Sequence, residues 1–282
     1  MISDISAVLD RMASLVPQGV SYSPELLSKF NAKITLDKAV YGHLIQGGEA
    51  GGYHHWLTLL ARQVGPALIV ELGNRYGVST IALYQGLSAD SRLLTVDVVH
   101  DQRYVPEKIF QDPRVKFIFA DCLDITAYEA AGVDVPLDID ILWTDTLHYY
   151  KQLSSEFKVY EPLLADEAII AIDDIHLNDK GRFFSEAPYE KRDLTALCHG
   201  SGFGVLHYVR PLAERGKSRQ DRIAESLRRS ARIGYENYWD LFRQYESLQN
   251  RVQKHPCFRA LRKLAAGLKF LFGKRSHNKG EL

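Results

Sequence analysis

Short apolar runs alternate with amphipathic stretches between Pro66 and Arg210. Each run is five or six residues long, is rich in β-branched residues, and ends near polar or acidic positions. Continuous apolar runs of this kind are typical of strands that are covered on both faces, as in a parallel sheet. The runs are LIVEL (68–72), LLTVDV (93–98), VKFIFA (115–120), IDILWT (139–144) and AIIAI (168–172).

The segments between these runs have helical composition, so the alternation predicts an α/β fold with a doubly wound, mostly parallel, Rossmann-like sheet. A helix near 188–199 and a late strand, FGVLHYV (203–209), are predicted to follow. No clear additional strand marks the far edge of the sheet. The intervening helices are predicted at 78–88, 104–111, 124–131 and 149–164.

The two ends of the chain read differently from this central part. Up to about Gln63 the pattern indicates short helices broken by prolines and glycines, and after Arg210 it indicates amphipathic helices. We therefore divide the chain into an N-terminal helical cap (1–62), an α/β domain (63–211) and a basic helical tail (212–282).

Composition excludes several classes of protein. The sequence has no run of about 18 apolar residues, so no transmembrane helix is expected. The N-terminus lacks the pattern of a secretory signal. Cys122, Cys198 and Cys257 are too widely spaced for a disulfide framework or a zinc site. Reduced thiols and a cytoplasmic location are therefore expected.

The net charge of zero conceals an asymmetry. Residues 210–282 hold 18 of the 35 basic and 7 of the 35 acidic residues, which leaves +11 there and −11 over residues 1–209. An acidic body would repel a phosphate backbone, so no nucleic-acid partner is expected. The apolar stripe at 258–272 suits peripheral contact with an anionic membrane at its cytoplasmic face, or with an acidic partner surface. The stripe at 238–252 suits pairing between subunits in a homo-oligomer. Packing of both helices on the body of the protein is the alternative.

The candidate chemistry lies after the runs, because ligands of open parallel sheets bind beyond the carboxyl ends of the strands. The first run leads into Glu71-Leu72-Gly73-Asn74-Arg75-Tyr76-Gly77, and Ser79-Thr80 then open the next helix. Gly73 and Gly77 would let the backbone pass close to a ligand. A negative charge at Glu71 without a phosphate anchor suits a cationic ligand that carries an amino group.

Two further acids follow the next two runs. Asp97 is placed to accept both hydroxyls of a ribose, and Asp121, followed by Cys122, to accept from an adenine amino group. In this order the residues resemble class I S-adenosylmethionine (SAM)-dependent methyltransferases over roughly residues 63–210. The resemblance implies that SAM is held with its methionine part at the Gly73 loop, by Glu71, Gly73, Gly77, Ser79, Thr80, Asp97, Asp121 and Cys122.

The last two runs end in three carboxylates at neighbouring strand ends, Asp145, Asp173 and Asp174. Clustered carboxylates are costly unless a cation neutralises them, and oxygen ligands suit Mg²⁺ or Mn²⁺. The pattern resembles metal-dependent O-methyltransferases of the catechol and caffeoyl-CoA type, although Asp174 replaces their asparagine and His148 stands in place of their catalytic lysine. A loop-capping role for Asp173-Asp174 remains an alternative.

Asp-x-x-His followed by Asp-Asp is more similar to methyltransferases that act on sugar hydroxyls in antibiotic and polysaccharide pathways. This resemblance implies a sugar, glycan or other small-molecule acceptor, a metal bound by Asp145, Asp173 and Asp174, and His148 as the general base. His148 packing on Tyr149 is the alternative. Trp143, Tyr149 and Tyr150 are predicted to form an aromatic wall for the acceptor.

Two rival functions stay open at this stage. An NAD(P)-dependent oxidoreductase would use the same kind of sheet, but Arg75 and Val78 stand where its fingerprint needs glycine. A non-catalytic scaffold with a partner-binding tail is the other, and the acids at the strand ends count against it.

Overall fold

The computed structural model describes residues 52–65 and 67–254, together with Ala7 and Asp10. The short helices predicted for most of the N-terminal cap, and the apolar stripe at 258–272, lie outside the described residues. The division into cap, α/β domain and tail stays a prediction. The chain forms two compact units, Met1–Ala231 and Arg232–Leu282.

Strands and helices alternate through the first unit. The strands are β1 (Leu68–Leu72), β2 (Arg92–Asp97), β3 (Val115–Phe119), β4 (Ile139–Thr144), β5 (Leu164–Asp173), β6 (Glu190–Asp193) and β7 (Phe203–Val209). The helices are α1 (Gly52–Val64), α2 (Val78–Gly86), α3 (Glu107–Phe110), α4 (Thr126–Ala130), α5 (Tyr150–Tyr160), α6 (Lys180–Glu186) and α7 (Arg219–Lys254). Short 3₁₀ turns lie at Glu161–Leu163, Thr195–Leu197 and Leu212–Glu214.

The described strands form one seven-stranded sheet in the order β3-β2-β1-β4-β5-β7-β6. Strands β1 to β5 are mutually parallel, and β7 runs antiparallel to both β5 and β6. This confirms the predicted doubly wound, mostly parallel sheet. The strand order reverses between β1 and β4, so a ligand crevice is expected at the carboxyl ends of these two strands.

The core explains why the apolar runs became strands. Helix α1 buries Trp56 and Leu60 in the same cluster as Ile69 of β1, Ile141 of β4 and Ile169 of β5. Burial of each such side chain contributes about 1.5–3 kcal/mol to the free energy of unfolding. The apolar runs are therefore held with their polar carboxyl ends facing the crevice.

The predicted helix near 188–199 is wrong. The segment instead forms β6, which pairs antiparallel with β7 at the sheet edge, followed by the 3₁₀ turn Thr195–Leu197. Strand β6 consists entirely of charged residues, and such sequences protect an edge strand from further pairing. The ammonium of Lys191 donates to the carbonyls of Phe184, Ser185 and Ala187, which links this edge to the end of α6.

The beginning of α7 packs on the α/β body within the first unit. The guanidinium of Arg222 donates to the carbonyls of Pro162 and Leu164, and Ser226 donates to the carbonyl of Val159 at 2.8 Å. Ser230 donates to the carbonyl of Leu123. These hydrogen bonds fasten the helix beside the ends of α5 and the loop after β3.

Within the second unit, α7 carries a group of aromatic side chains that contact one another and are exposed. They are Tyr235, Tyr238, Trp239 and Phe242. Among the helices that the structure describes, none has both the length and the apolarity needed to cross a bilayer.

Candidate functional site

A cavity of about 630 Å³ opens at the carboxyl ends of β1 to β5. Its volume falls within the roughly 300–1,000 Å³ of typical small-molecule sites. The wall draws on every one of these strand ends, including Gly73 after β1, Asp97 at β2, Asp121 after β3, Asp145 and His148 after β4, and Asp173 and Asp174 at β5. The sequence-predicted acids after β2, β3, β4 and β5 therefore share one cavity.

The loop after β1 lies directly on the loop after β4. Gly73 has a φ of +83°, and its N–H donates to the carbonyl of Val96 at 2.9 Å. A Cβ atom at Gly73 would lie 2.2 Å from the backbone oxygen of Asp145. Only glycine permits both this backbone conformation and this approach.

Asp97 holds the Gly73 loop in place. Its Oδ2 accepts hydrogen bonds from the N–H groups of Asn74 at 2.8 Å and Arg75 at 2.7 Å, and Oδ1 accepts from Val99 at 2.7 Å. A carboxylate offers about four acceptor positions, so about one is left. The prediction that Asp97 accepts both ribose hydroxyls therefore needs correction, because without a rearrangement of the loop it can accept only one.

Asp121 and Cys122 line the cavity in different ways. The carboxylate of Asp121 is exposed, and its Oδ1 accepts from the N–H of Leu123 at 2.9 Å. The thiol of Cys122 is buried, with Sγ 3.4 Å from Oε1 of Glu156. Burial, followed by the nearby charge of Glu156, raises the pKa of the Cys122 thiol, so this side chain stays neutral.

Glu71 does not present a negative charge to the cavity, which corrects the sequence-based expectation. Its side chain is fully buried, and its two oxygens accept hydrogen bonds from Ser79 and Thr80, each at 2.6 Å. Burial raises the pKa of Glu71 to about 7, and the hydroxyl hydrogen bonds lower it only partly.

Glu71, Ser79 and Thr80 therefore join the end of β1 to the first turn of α2 and do not line the cavity. The helix begins at Val78, with Gly77 as its N-cap. The space beside Gly77 is filled by Val105, whose Cγ2 would lie 2.1 Å from an added Cβ. These four residues lie behind the Gly73 loop and support it, whereas the sequence predicted that they would contact the cofactor directly.

The predicted metal-binding acids do come together. Burial and the adjacent Asp173 together raise the pKa of Asp145 well above its usual range. Asp174 has a positive φ of 56°, and burial followed by Asp173 also raises its pKa. Like charges raise one another's pKa because each disfavours the ionised form of its neighbour. A cation placed among these carboxylates would relieve that repulsion.

His148 lies against Asp174. Its Nδ1 is 3.1 Å from Oδ2 of Asp174, close enough for a charge interaction although no hydrogen bond forms. Asp145, His148 and Asp174 can each offer one ligand atom within 4.8 Å of the others. Because Nδ1 faces Asp174, Nε2 is the ring nitrogen that remains available to a ligand.

Sequence reasoning missed His199. Its Nε2 lies 2.8 Å from Oδ1 of the buried Asp173, and its Nδ1 lies 3.9 Å from Oδ1 of Asp174. Burial lowers the pKa of His199, but the hydrogen bond and charge of Asp173 outweigh it and raise the pKa. The available signal was the HGSG turn before FGVLHYV, because an antiparallel β7 places the residues before it beside the end of β5.

Two more polar side chains near the site were not predicted. Lys180, the first residue of α6, is fully buried, and its Nζ has no hydrogen-bond partner among the described residues. Its charge lowers the pKa of both Asp145 and Asp174. Glu156 is also buried and accepts from Thr144 and Gln152, each at 2.8 Å, which ties α5 to the end of β4.

The predicted aromatic wall is not formed. Trp143 is fully buried, with its ring centroid 5.7 Å from that of Phe203 in the core. Tyr149 is 55% exposed, and the hydroxyl of Tyr150 donates to Glu186 at 3.2 Å. None of the three side chains lines the cavity.

The sequence of the chain matches a family model and a curated protein. Residues 70–175 match a family model described as a methyltransferase domain. O-methyltransferase hkm8 of Aspergillus hancockii is 27% identical over 124 residues, which cover 42% of this chain and 47% of that protein. The chain thus aligns with about half the length of this curated relative.

The fold of the chain is similar to that of a solved structure. A crystal structure of a Corynebacterium glutamicum protein has a TM-score of 0.52 at 16% identity, covering 66% of this chain and 97% of that one. A methyltransferase from Geobacter sulfurreducens has a TM-score of 0.47 at 18% identity, with coverages of 74% and 98%. The first of these shares the fold. The match to the methyltransferase family model extends from β1 to the residues just after β5.

Proposed function

We propose that the chain is a SAM-dependent O-methyltransferase that uses a divalent cation and acts on a hydroxyl of a sugar, a glycan or another small molecule. The observation that carries this proposal is the single cavity into which four successive strand ends place acids, beside the Gly73 loop. All of the described residues that line this cavity lie within the residues that match the methyltransferase family model.

The order of the wall residues gives SAM its orientation. The methionine part lies at the loop after β1, one ribose hydroxyl donates to the remaining acceptor position of Asp97, and the adenine amino group donates to Asp121. The sulfonium of SAM is cationic, and an acid-lined cavity favours a positive charge. Support comes from the adjacency of these three strand ends in the sheet.

The residues present fit a divalent cation. Asp145, Asp173 and Asp174 carry three negative charges when ionised, and Lys180 supplies one positive charge nearby. The remaining charge of −2 is what a divalent cation neutralises. Carboxylate oxygens suit Mg²⁺ and Mn²⁺. These carboxylates would hold the ion at the end of the cavity opposite Asp121.

The proposed reaction is an in-line displacement. A bound metal ion would supply a lowered pKa for the acceptor hydroxyl. Nε2 of His148 takes the hydroxyl proton while the acceptor oxygen forms a bond to the methyl carbon of SAM. The bond between carbon and sulfur breaks with its electron pair moving to sulfur, which yields the methyl ether and S-adenosylhomocysteine (SAH). Oδ2 of Asp174 lies 3.1 Å from Nδ1 and so faces the other nitrogen of the ring.

The test combines binding with turnover. SAH is titrated into the protein by calorimetry, and methyl-labelled SAM is then incubated with a panel of sugars and phenols, with Mn²⁺ or with excess chelator. The proposal predicts SAH binding and metal-dependent label transfer to a hydroxyl acceptor. Binding of NAD(P)H in place of SAH would favour the oxidoreductase alternative, and SAH binding without transfer to any acceptor would favour a non-catalytic protein.

A further inference from the structure

The cluster at the end of β5 contains a nitrogen ligand that the family resemblance does not supply. Asp173, Asp174 and His199 each offer one ligand atom, and these atoms all lie within 4.8 Å of one another. Asp173 is 5% exposed and His199 is partly buried. One ion could therefore contact all three side chains with little exposure to solvent.

This group is held more firmly than the group that contains His148. Asp173 pairs with Phe203 across the antiparallel β5 and β7, and His199 precedes that strand by a four-residue turn. The N–H of His176 donates to the carbonyl of Ser201 at 2.7 Å, which closes this turn onto the segment after β5. His148, in contrast, lies on the loop between β4 and α5 with 37% of its side chain exposed.

The buried ammonium of Lys180 is an independent indication that the carboxylates of this cluster carry negative charge. A fully buried ammonium without a hydrogen-bond partner is costly unless carboxylates are close. It lowers the pKa of Asp145 and Asp174 and yet forms no hydrogen bond with either. The carboxylate oxygens of this cluster thus keep acceptor positions that a second cation can use.

We propose that His199 is a direct ligand of the divalent cation, together with Asp173 and Asp174, and that the site consequently prefers Co²⁺ or Mn²⁺ to Mg²⁺. The inference rests on the metal of the proposed function. Imidazole nitrogen binds transition metals better than it binds Mg²⁺, which demands oxygen ligands. His148 stays outside this ligand set and keeps Nε2 for the acceptor.

The experiment measures Co²⁺, Mn²⁺ and Mg²⁺ affinities of the full chain by calorimetry, for the wild type, His199→Asn and His176→Asn. His176 is the matched control because its Nε2 also lies 3.0 Å from a carboxylate, that of Asp193, but His176 belongs to neither candidate metal-binding cluster. His199→Asn should weaken Co²⁺ binding at least about 10-fold and Mg²⁺ binding much less. His176→Asn should leave all three affinities unchanged.

Pulsed electron paramagnetic resonance of the Mn²⁺-loaded protein gives a readout that does not depend on how well His199→Asn folds. A nitrogen coupling that persists in His148→Gln identifies His199 as the ligand. Absence of a nitrogen coupling from both the wild type and His148→Gln would overturn this inference. So would Co²⁺ and Mg²⁺ affinities that are the same in His199→Asn as in the wild type. Either result would leave the proposed metal itself unaffected. A wild-type protein that binds SAH but none of the three metals would overturn the metal itself.

Discussion

Gly73 and Asp145 lie so close that a single methyl group on Gly73 would come within 2.2 Å of the backbone oxygen of Asp145. The N–H of Asp145 in turn donates to the carbonyl of Leu72 at 2.8 Å. The loop proposed to hold the methionine part of SAM and the segment proposed to hold the metal are thus one packed unit. A substitution in either segment should therefore disturb the conformation of the other.

Gly73→Ala is the first test of this packing. The substitution should lower the free energy of unfolding by about 1–2 kcal/mol for the positive φ and by a further ~1–3 kcal/mol for the clash. It should also abolish SAH binding. Gly132→Ala is the matched control, because Gly132 has a φ of +72° with no atom within 4 Å of an added Cβ. Equal destabilisation by both substitutions in urea unfolding would contradict the close approach.

Glu71 should make stability depend on pH. Because burial raises its pKa to about 7 from 4.5, the folded state binds the proton more tightly than the unfolded state. This stabilisation is fully present below pH 4.5 and is lost as the pH rises through 7, by about 3 kcal/mol in all. Glu71→Gln should remove this dependence of stability on pH. The measurement is the free energy of unfolding of both proteins at pH 5, 6, 7 and 8, and the difference between them should change with pH. Parallel curves would show that Glu71 is not buried as described.

Asp121 should contribute to cofactor affinity. Asp121→Ala removes an acceptor for the adenine amino group and should weaken SAH binding roughly 10-fold, because hydrogen bonds to charged groups contribute about 1.5–3 kcal/mol. Asp124→Ala is the control, since Asp124 is exposed and likewise accepts from a backbone N–H two residues later, but does not line the cavity. Calorimetry that finds equal SAH affinities for the two variants would place adenine elsewhere.

His148 and the metal should act on turnover and not on cofactor affinity. His148→Ala should lower kcat about 10²–10⁴-fold with little change in the SAH dissociation constant. Excess chelator should abolish methyl transfer, and added Mn²⁺ should restore it. Full activity in chelator would exclude the cation from the mechanism, and an active alanine variant would remove His148 as the base.

The strands β1, β2, β4 and β5 could be predicted from the sequence because their apolar runs are almost entirely buried, so the run alone marks them. Strand β3 lies at the sheet edge and is partly exposed, but its run VKFIF is still mostly apolar. Strand β6 could not, because Glu190–Asp193 is charged throughout and its pairing depends on β7 beside it. The same error hid His199, which a helix at 188–199 would have directed elsewhere.

The site acids could be located for a similar reason. Parallel strands bring their carboxyl ends to one edge, which places Asp97, Asp121 and Asp145 in one cavity. The state of each acid could not be predicted, because it depends on side chains from other elements. Both carboxylate oxygens of Glu71 accept hydrogen bonds from Ser79 and Thr80, and the position of Glu71 at the end of an apolar run does not indicate this.

Binding of SAM in the cavity is tested most directly by titration of SAH into the wild-type chain. This measurement does not require that the methyl acceptor be known. We expect saturable binding with one SAH per chain, weakened by Asp121→Ala and unchanged by Asp124→Ala. A folded wild-type protein that takes up neither SAH nor SAM at millimolar concentration would contradict it.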